Sequence, residues 1–443
     1  MRVLYLPVEV TRRELNSKLL IAITALNNNS FDCVFCGRDV ELFQRMAIPG
    51  VVLLKSMAGF ELKKIEKLKK HGHIIFSLDE EGVVPPLNDP SINSRFSEEN
   101  LNKLDGLLSN GPLEILSYPE KIRNSAKIQI VGNPRFDFYK KERRIFFNKN
   151  KNKIRKSFRN KKIILLASRF GDVNLYNNKS AFDLLKSMGY IDTSEAEIFF
   201  KGFFEHGNKL FTKFLELPSF LAKNFPEYMI VVRPHPSEDH AKWLNSAKEK
   251  NIVVTADYDI ASWLACADCL IHNGCTTAVE AVAMQVPVIT FMPEQSDEYD
   301  LNYPNEMGLI TTNLQEVKNA LNNLLINALP LGTRDIKTII DFDLNENASN
   351  KIVKAISAKY PKKNFNAKIH YSRLILFYIK NSIRYFLHGI GVLKDYSLIK
   401  YPFEQKRGYF RRISSIQDVF DLNVNLDIRK TGIDIIKISR KKA

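Results

Sequence analysis

Short apolar runs alternate with amphipathic stretches along most of this chain, and that rhythm admits few folds. In the first part the runs fall at 3–8, 31–36, 51–54, 74–78, 113–117 and 127–131, separated by helix-like stretches such as 12–26, 58–70 and 97–108. A second series has runs at 163–167, 228–232, 252–255, 269–272 and 287–291. Its helices are expected near 211–224, 240–249, 258–266, 276–285, 314–326 and 346–358. Such alternation builds a parallel sheet wound on both faces. The expected fold is α/β, with two Rossmann-like domains facing a cleft between their strand ends and a basic C-terminal extension. The boundaries fall at 1–137 for the first domain, 138–162 for a basic linker, 163–358 for the second domain and 359–443 for the extension.

Charge is what marks out the linker and the extension. The chain carries a net charge of +16, yet residues 138–162 hold twelve Lys and Arg against one Glu, and residues 362–443 hold eighteen against six acids. The remainder is mildly acidic, whereas a nucleic-acid enzyme more often carries its charge around the cleft. Both basic stretches are studded with Phe and Tyr, which suits an anionic membrane surface and excludes nucleic acid as the expected partner. The stretch from Phe365 to Ile390 can lie in a bilayer interface, or pack back on the N-terminal domain as a C-terminal helix. Met1-Arg2 runs directly into a strand with no cleavage-site pattern, and no stretch nears the roughly 20 apolar residues of a membrane span. The expected compartment is the cytoplasm, on the inner face of its membrane.

Five cysteines include two CxxC spacings, Cys33/Cys36 and Cys266/Cys269. A four-thiolate zinc site is one reading and buried free thiols the other. The first pair lies in a strand-like run, where positions three apart face opposite ways, so thiols are expected. The eight histidines form no metal-ligand pattern, and no metal is expected.

Two strand–turn–helix segments carry the chemistry. In VVRPHPSED the strand ends at Arg233, and Pro236 is placed to open a helix whose first turn holds Ser237, Glu238 and Asp239. In CLIHNGCTTAVEA the turn is Asn273-Gly274, and Thr276 or Thr277 is placed to cap the helix bearing Glu280. Helix N-termini at the carboxyl ends of parallel strands attract anions, so a nucleotide phosphate is expected there, with Arg233 and His235 beside it. Ser168, Arg169, Gly171 and Asn174 form the first turn of the second domain, where Gly171 permits close backbone approach.

In the first domain, Asp79, Glu80 and Glu81 follow the strand HIIFS. Adjacent carboxylates raise one another's pKa, which suits a general base; a solvated turn or helix cap is the plainer alternative. Glu9 is a second candidate base. Arg13 can grip a sugar carboxylate bidentately or join a surface ion pair.

These stretches, with LPVEVTRREL, SLDEEG, GNPRFD and LASRFGDVN, resemble the bacterial surface carbohydrate biosynthesis protein family of GT-B type. The resemblance spans roughly residues 1–355 and extends, more distantly, to capsule and O-antigen transferases that use CMP-Kdo. It implies a metal-independent glycosyltransferase without cofactor, with a CMP-sugar as co-substrate and a glycan or lipid-linked acceptor. His235 and the following helix end would contact the CMP phosphate, Thr276 and Thr277 would flank the nucleotide, and Glu280 would face the ribose. Many retaining GT-B enzymes carry a second glutamate eight residues on, where this chain has Val288. The alternatives are a UDP-sugar transferase or epimerase-like enzyme, a polyol-phosphate transferase, to which GNPRFD is similar, and a non-catalytic glycan-assembly subunit.

Overall fold

The structure is a computed structural model that describes residues 1–58, 61–79, 96, 98–175, 180–187, 191–326, 335–360, 371–393 and 405–441. They divide into two compact units, the first built from residues up to Phe138 together with those from Lys337 onward, the second from Tyr139–Ile336. The fold is α/β, with a Rossmann-like parallel sheet in each unit.

In the first unit, strands β1 (Val3–Pro7), β2 (Cys33–Gly37), β3 (Val51–Leu54), β4 (Ile74–Leu78), β5 (Gly106–Ser109) and β6 (Ile128–Ile130) are parallel in the order 2-1-3-4-5-6. Their apolar runs are buried because helices cover both faces. The helix Thr11–Asn27 is buried over most of its length, since it lies against the helices Ala348–Ala358 and Lys406–Phe420. Asp137 joins these parts: its carboxylate accepts from the backbone N–H groups of Ala348 at 2.8 Å and Ser349 at 3.0 Å, capping the Ala348–Ala358 helix.

The second unit has β7 (Ile163–Ala167), β8 (Met229–Arg233), β9 (Ile252–Val254), β10 (Cys269–His272), β11 (Val288–Phe291) and β12 (Leu309–Thr311), all parallel. The sheet order is 12-11-10-7-8-9, so chain order reverses between β7 and β10. The core beside it gathers Phe170, Phe211, Phe214, Trp243 and Phe291.

Four local differences from the sequence reading have physical causes. The apolar run at 113–117 is helical, within Pro112–Ser117, because Pro112 sits at a helix-opening position; the strand is instead Gly106–Ser109. The basic stretch 138–162 is folded, as a 3₁₀ segment Lys141–Phe147 and a helix Asn148–Ser157 within the second unit. Arg144 donates to the Tyr139 and Ala283 carbonyls, and Arg155 to the Cys266 carbonyl at 2.5 Å. The C-terminal end forms an antiparallel hairpin, β13 (Leu426–Gly432) and β14 (Ile435–Arg440), whose second strand pairs antiparallel with β2 in the first unit's sheet. The Ala348–Ala358 helix, placed with the second series by the sequence rhythm, belongs to the first unit.

All four CxxC cysteines are buried free thiols, the first pair in the first unit and the second in the other. Burial pushes Cys33 and Cys266 up to about 11 and Cys36 and Cys269 further. Among the described residues no helix is long and apolar enough to cross a membrane.

Candidate functional site

Open α/β sheets hold ligands outside the carboxyl ends of strands where chain order reverses. In the second unit that point lies between β7 and β10, and three turns leave the sheet around it: Ser168–Gly171 after β7, Pro234–Glu238 after β8, and Asn273–Thr276 after β10.

Glu238 ties the first two turns together. Its buried carboxylate accepts from Ser168 Oγ at 2.6 Å, from the backbone N–H groups of Phe170 and His235 at 3.0 Å each, and from Trp243 Nε1 at 2.7 Å. Burial pushes its pKa up, against the pull of those donors. Asn174 adds a second tie, its Nδ2 donating to the Asp239 carbonyl at 2.8 Å while Asp239 N–H donates back to its own carbonyl at 2.8 Å. Ser168 and Asn174 therefore hold turn to turn.

His235 stands exposed on this frame. The chain turns back between His235 and Glu238, where Glu238 N–H donates to the His235 carbonyl at 2.9 Å and Pro236 occupies the second turn position that proline favours. Ser237 N–H, which can only donate, lies 3.3 Å from His235 Nδ1, and Ser237 Oγ lies 2.7 Å from it. In the neutral ring Nδ1 is thus the acceptor and the proton sits on Nε2. A β-carbon at Gly171 would stand 2.0 Å from Ser237 Oγ and 3.4 Å from His235 Nδ1. The close approach that Gly171 permits is to this pair.

The helix expected to open at Pro236 begins at His240, because Asp239 is the cap: its Oδ1 accepts from Ala241 N–H at 2.9 Å. After β10 the helix is Thr277–Ala283, with Thr276 at the capping position but making no side-chain cap hydrogen bond, and Thr277 Oγ1 accepting from Cys275 Sγ at 3.2 Å. Seven residues each, these helices supply a weaker anion field than the sequence reading assumed. Arg233, expected beside a phosphate, is committed elsewhere: it donates to the carbonyls of Thr255 at 3.4 Å, Asp257 at 2.8 Å and Tyr258 at 3.2 Å.

Arg169 takes the central place. Its Nη2 donates to Asn273 Oδ1 at 3.4 Å, and its Nε would lie 2.5 Å from a β-carbon at Gly274, whose φ is +53°. Gly274 N–H donates to Asn305 Oδ1 at 2.6 Å. Arg169 Nε and Asn305 Nδ2 are both buried without a hydrogen-bond partner among the described residues. Burial lowers the Arg169 pKa, with Asp172, Asp300 and Cys275 opposing. Two buried donors lacking acceptors are costly; an anionic oxygen satisfies such donors. Beneath them His272 is fully buried and neutral, pushed down by burial to about 3: its Nδ1 accepts from Cys275 N–H at 3.3 Å and its Nε2 faces Thr290 Oγ1 at 3.1 Å. Glu280, expected at the ribose, is buried and accepts from the Tyr139 hydroxyl at 2.5 Å.

In the first unit the order reverses between β1 and β3, and there Glu9 ion-pairs with Lys55. Arg13 pairs at 3.2 Å with the buried Glu14, whose other oxygen accepts from Glu9 N–H at 2.8 Å. Asp79 is buried at the end of β4; Glu80 and Glu81 lie outside the described residues. Beside it is a carboxyl the sequence did not single out. Glu114 accepts from Asn110 N–H at 2.6 Å, Asn110 Nδ2 at 3.0 Å, Ser109 Oγ at 3.1 Å and Tyr118 OH at 2.9 Å. Burial, then the charge of Asp79, pushes it up to about 8. Asn110 also donates to the Asp79 carbonyl at 2.8 Å and accepts from Asn133 Nδ2 at 2.9 Å, so the turn of GNPRFD is bound into the same network.

Asn305 and Glu114 escaped sequence reasoning because each is a single polar residue in an ordinary-looking stretch, and Glu238, expected in the first turn of a helix, instead ties two turns together. The one available signal was position: Glu238 and Glu114 each follow a buried strand within a few residues.

No family model matches the chain, and no curated protein does. Among solved structures it is similar to the UDP-GlcNAc 2-epimerase from Methanocaldococcus jannaschii, at 13% identity over 81% of this chain and 100% of that one, with a TM-score of 0.49. The wall teichoic acid polymerase TagF gives 14% identity over 81% and 88%, with a TM-score of 0.48. An S. aureus MnaA–UDP structure gives 10% over 89% and 98%, with a TM-score of 0.45. Likeness at these scores carries no weight for function; the fold assignment rests on the two strand orders.

Proposed function

We propose that the chain is a GT-B-type, metal-independent glycosyltransferase that moves a Kdo-like or nonulosonate sugar from a CMP donor to a glycan or lipid-linked acceptor of the bacterial surface, working at the inner face of the cytoplasmic membrane. One observation supports the nucleotide site above all: two buried donors without acceptors, Arg169 Nε and Asn305 Nδ2, flank Gly274 at the point where strand order reverses. In this reading Arg169 offsets the single phosphate of CMP, and His235, with its proton on Nε2, donates to the departing oxygen. The acceptor hydroxyl would give its proton to a carboxylate among Asp79, Glu80, Glu81 and Glu9.

The competing reading is a UDP-sugar transferase or epimerase-like enzyme, favoured by the second buried donor, which can serve a further phosphate oxygen. Thermal shift with cytidine and uridine nucleotides separates the two. A ligand at a hundred times its Kd stabilises the folded state by about 2.7 kcal/mol. CMP is expected to raise Tm well above the effect of UMP or UDP; the reverse order makes the uridine reading correct. No shift with any nucleotide favours the non-catalytic glycan-assembly subunit.

A further inference from the structure

The helix Tyr371–Gly389 has two opposed faces. One is anchored to the first unit: Phe377 and Tyr378 pack on Phe43, with ring centroids 6.3 and 6.4 Å apart, while Asn381 Nδ2 and the Tyr385 hydroxyl donate to the Asp39 carboxylate at 2.5 and 3.4 Å. The other turns outward. Ile375, Leu376, Ile379, Ile383, Phe386 and Ile390 are each between 49% and 65% exposed. Except for Leu376, which borders the row, they follow at steps of three and four, one continuous stripe down the helix. A lone exposed isoleucine is ordinary, but a contiguous apolar stripe marks an interaction surface. On one flank, between the stripe and the anchored face, stand Arg373, Lys380 and Arg384, and the helix holds no acidic residue.

We propose that this face docks on an anionic lipid bilayer, the helix lying in the interface plane with the isoleucines and Phe386 among the acyl chains and the basic flank at the lipid phosphates. The row from Ile375 to Ile390 is about 22 Å long, and the helix is not a spanning one. Charge selects this occupant over a second copy of the chain, because antiparallel pairing of two such faces would bring one basic flank against the other and parallel pairing would leave both without a counter-charge, whereas anionic headgroups neutralise the flank. The inference deepens only the membrane part of the proposed function. It does not draw on residues 138–162, which fold within the second unit with Arg144 and Arg155 engaged there.

The test is flotation of the full chain with phosphatidylcholine vesicles, with and without phosphatidylglycerol, at low salt. The wild-type chain is expected to float with the anionic vesicles and to be released by salt. The double variants Ile379→Glu/Ile383→Glu and Arg373→Glu/Lys380→Glu are expected to bind at least tenfold more weakly. Their Tm should match wild type, since these side chains lie on or beside the solvent face. Phe386→Trp should blue-shift its fluorescence only when anionic vesicles are added. Undiminished flotation of both charge variants overturns the proposal. So does a wild-type dimer that ignores vesicles and becomes monomeric in the isoleucine variant. Nucleotide thermal shift on the wild-type chain keeps the two readings apart: a wild-type chain that does not float but keeps the shift strikes docking alone, and one that floats but shows no shift strikes the transferase alone.

Discussion

At Gly274 a β-carbon would stand 2.5 Å from Arg169 Nε, and the backbone there is left-handed. Gly274→Ala would add strain of about 1 kcal/mol and push the guanidinium away from its buried position. Arg169→Lys keeps the charge but deletes Nε. It is expected to weaken nucleotide binding by about 1–3 kcal/mol, read as a smaller thermal shift, while Tm without nucleotide stays close to wild type. An unchanged shift would remove Arg169 from the binding site. Glu114 supports a prediction in pH. Its folded pKa, about 8, lies above the ordinary glutamate value of 4.5, so the folded state holds a proton that the unfolded chain releases between these limits. Its contribution to stability is fully present below pH 4.5 and is lost as pH rises through 8. Glu114→Gln should flatten the fall of Tm between pH 5 and 8, by an amount on the order of a few kcal/mol. A variant whose Tm falls as steeply as wild type's would show that the carboxyl is already ionised.

Elements were legible where period and length agreed, and illegible where a single residue overruled them. The strands at Val3–Pro7, Ile163–Ala167, Cys269–His272 and Val288–Phe291 stand out because buried parallel strands are short and continuously apolar. The run at 113–117 has the same look, but Pro112 opens a helix there. Near His235 the sequence pointed to the correct turn and the wrong helix start, since Pro236 serves a tight turn as readily as a helix opening. The C-terminal hairpin was hidden by its Lys and Arg residues, which belong to the solvent side of an edge. Within it, Ile436 and Ile438 are buried and pair with Cys36 and Val34 of β2. Ile438→Ala is therefore expected to destabilise the first unit by about 2–4 kcal/mol in urea. Truncation before residue 426 should cost more and promote aggregation, because it uncovers the β2 edge. Full stability of the truncated chain would mean the hairpin only decorates the sheet.

For the whole molecule, net charge was legible and its placement in space was not. A run with twelve Lys and Arg reads as a solvated linker from composition alone. Three-dimensional partners make the difference: Arg155 donates to the Cys266 and Lys161 carbonyls and pairs with Asp268 at 3.2 Å, Asn150 donates to Ser262 at 3.0 Å, and Phe158 packs on Trp263. Apart from Lys161, those partners lie more than a hundred residues along the chain, beyond any local pattern. A stretch so rich in trypsin sites is a direct probe of the difference. A flexible linker would be cut at once under native conditions, whereas a docked helix must open first, so cleavage tracks local stability. The wild-type chain should resist trypsin across Asn148–Ser157 at concentrations that cut an unfolded control within minutes. Arg155→Met keeps the aliphatic stem but removes the donors to the Cys266 carbonyl, at a cost of about 1–3 kcal/mol. It should accelerate cleavage there by roughly ten- to a hundredfold while leaving the first unit's cleavage pattern unchanged. Rapid cutting of the wild-type chain at Lys149 or Lys153 would return the segment to the role of a linker.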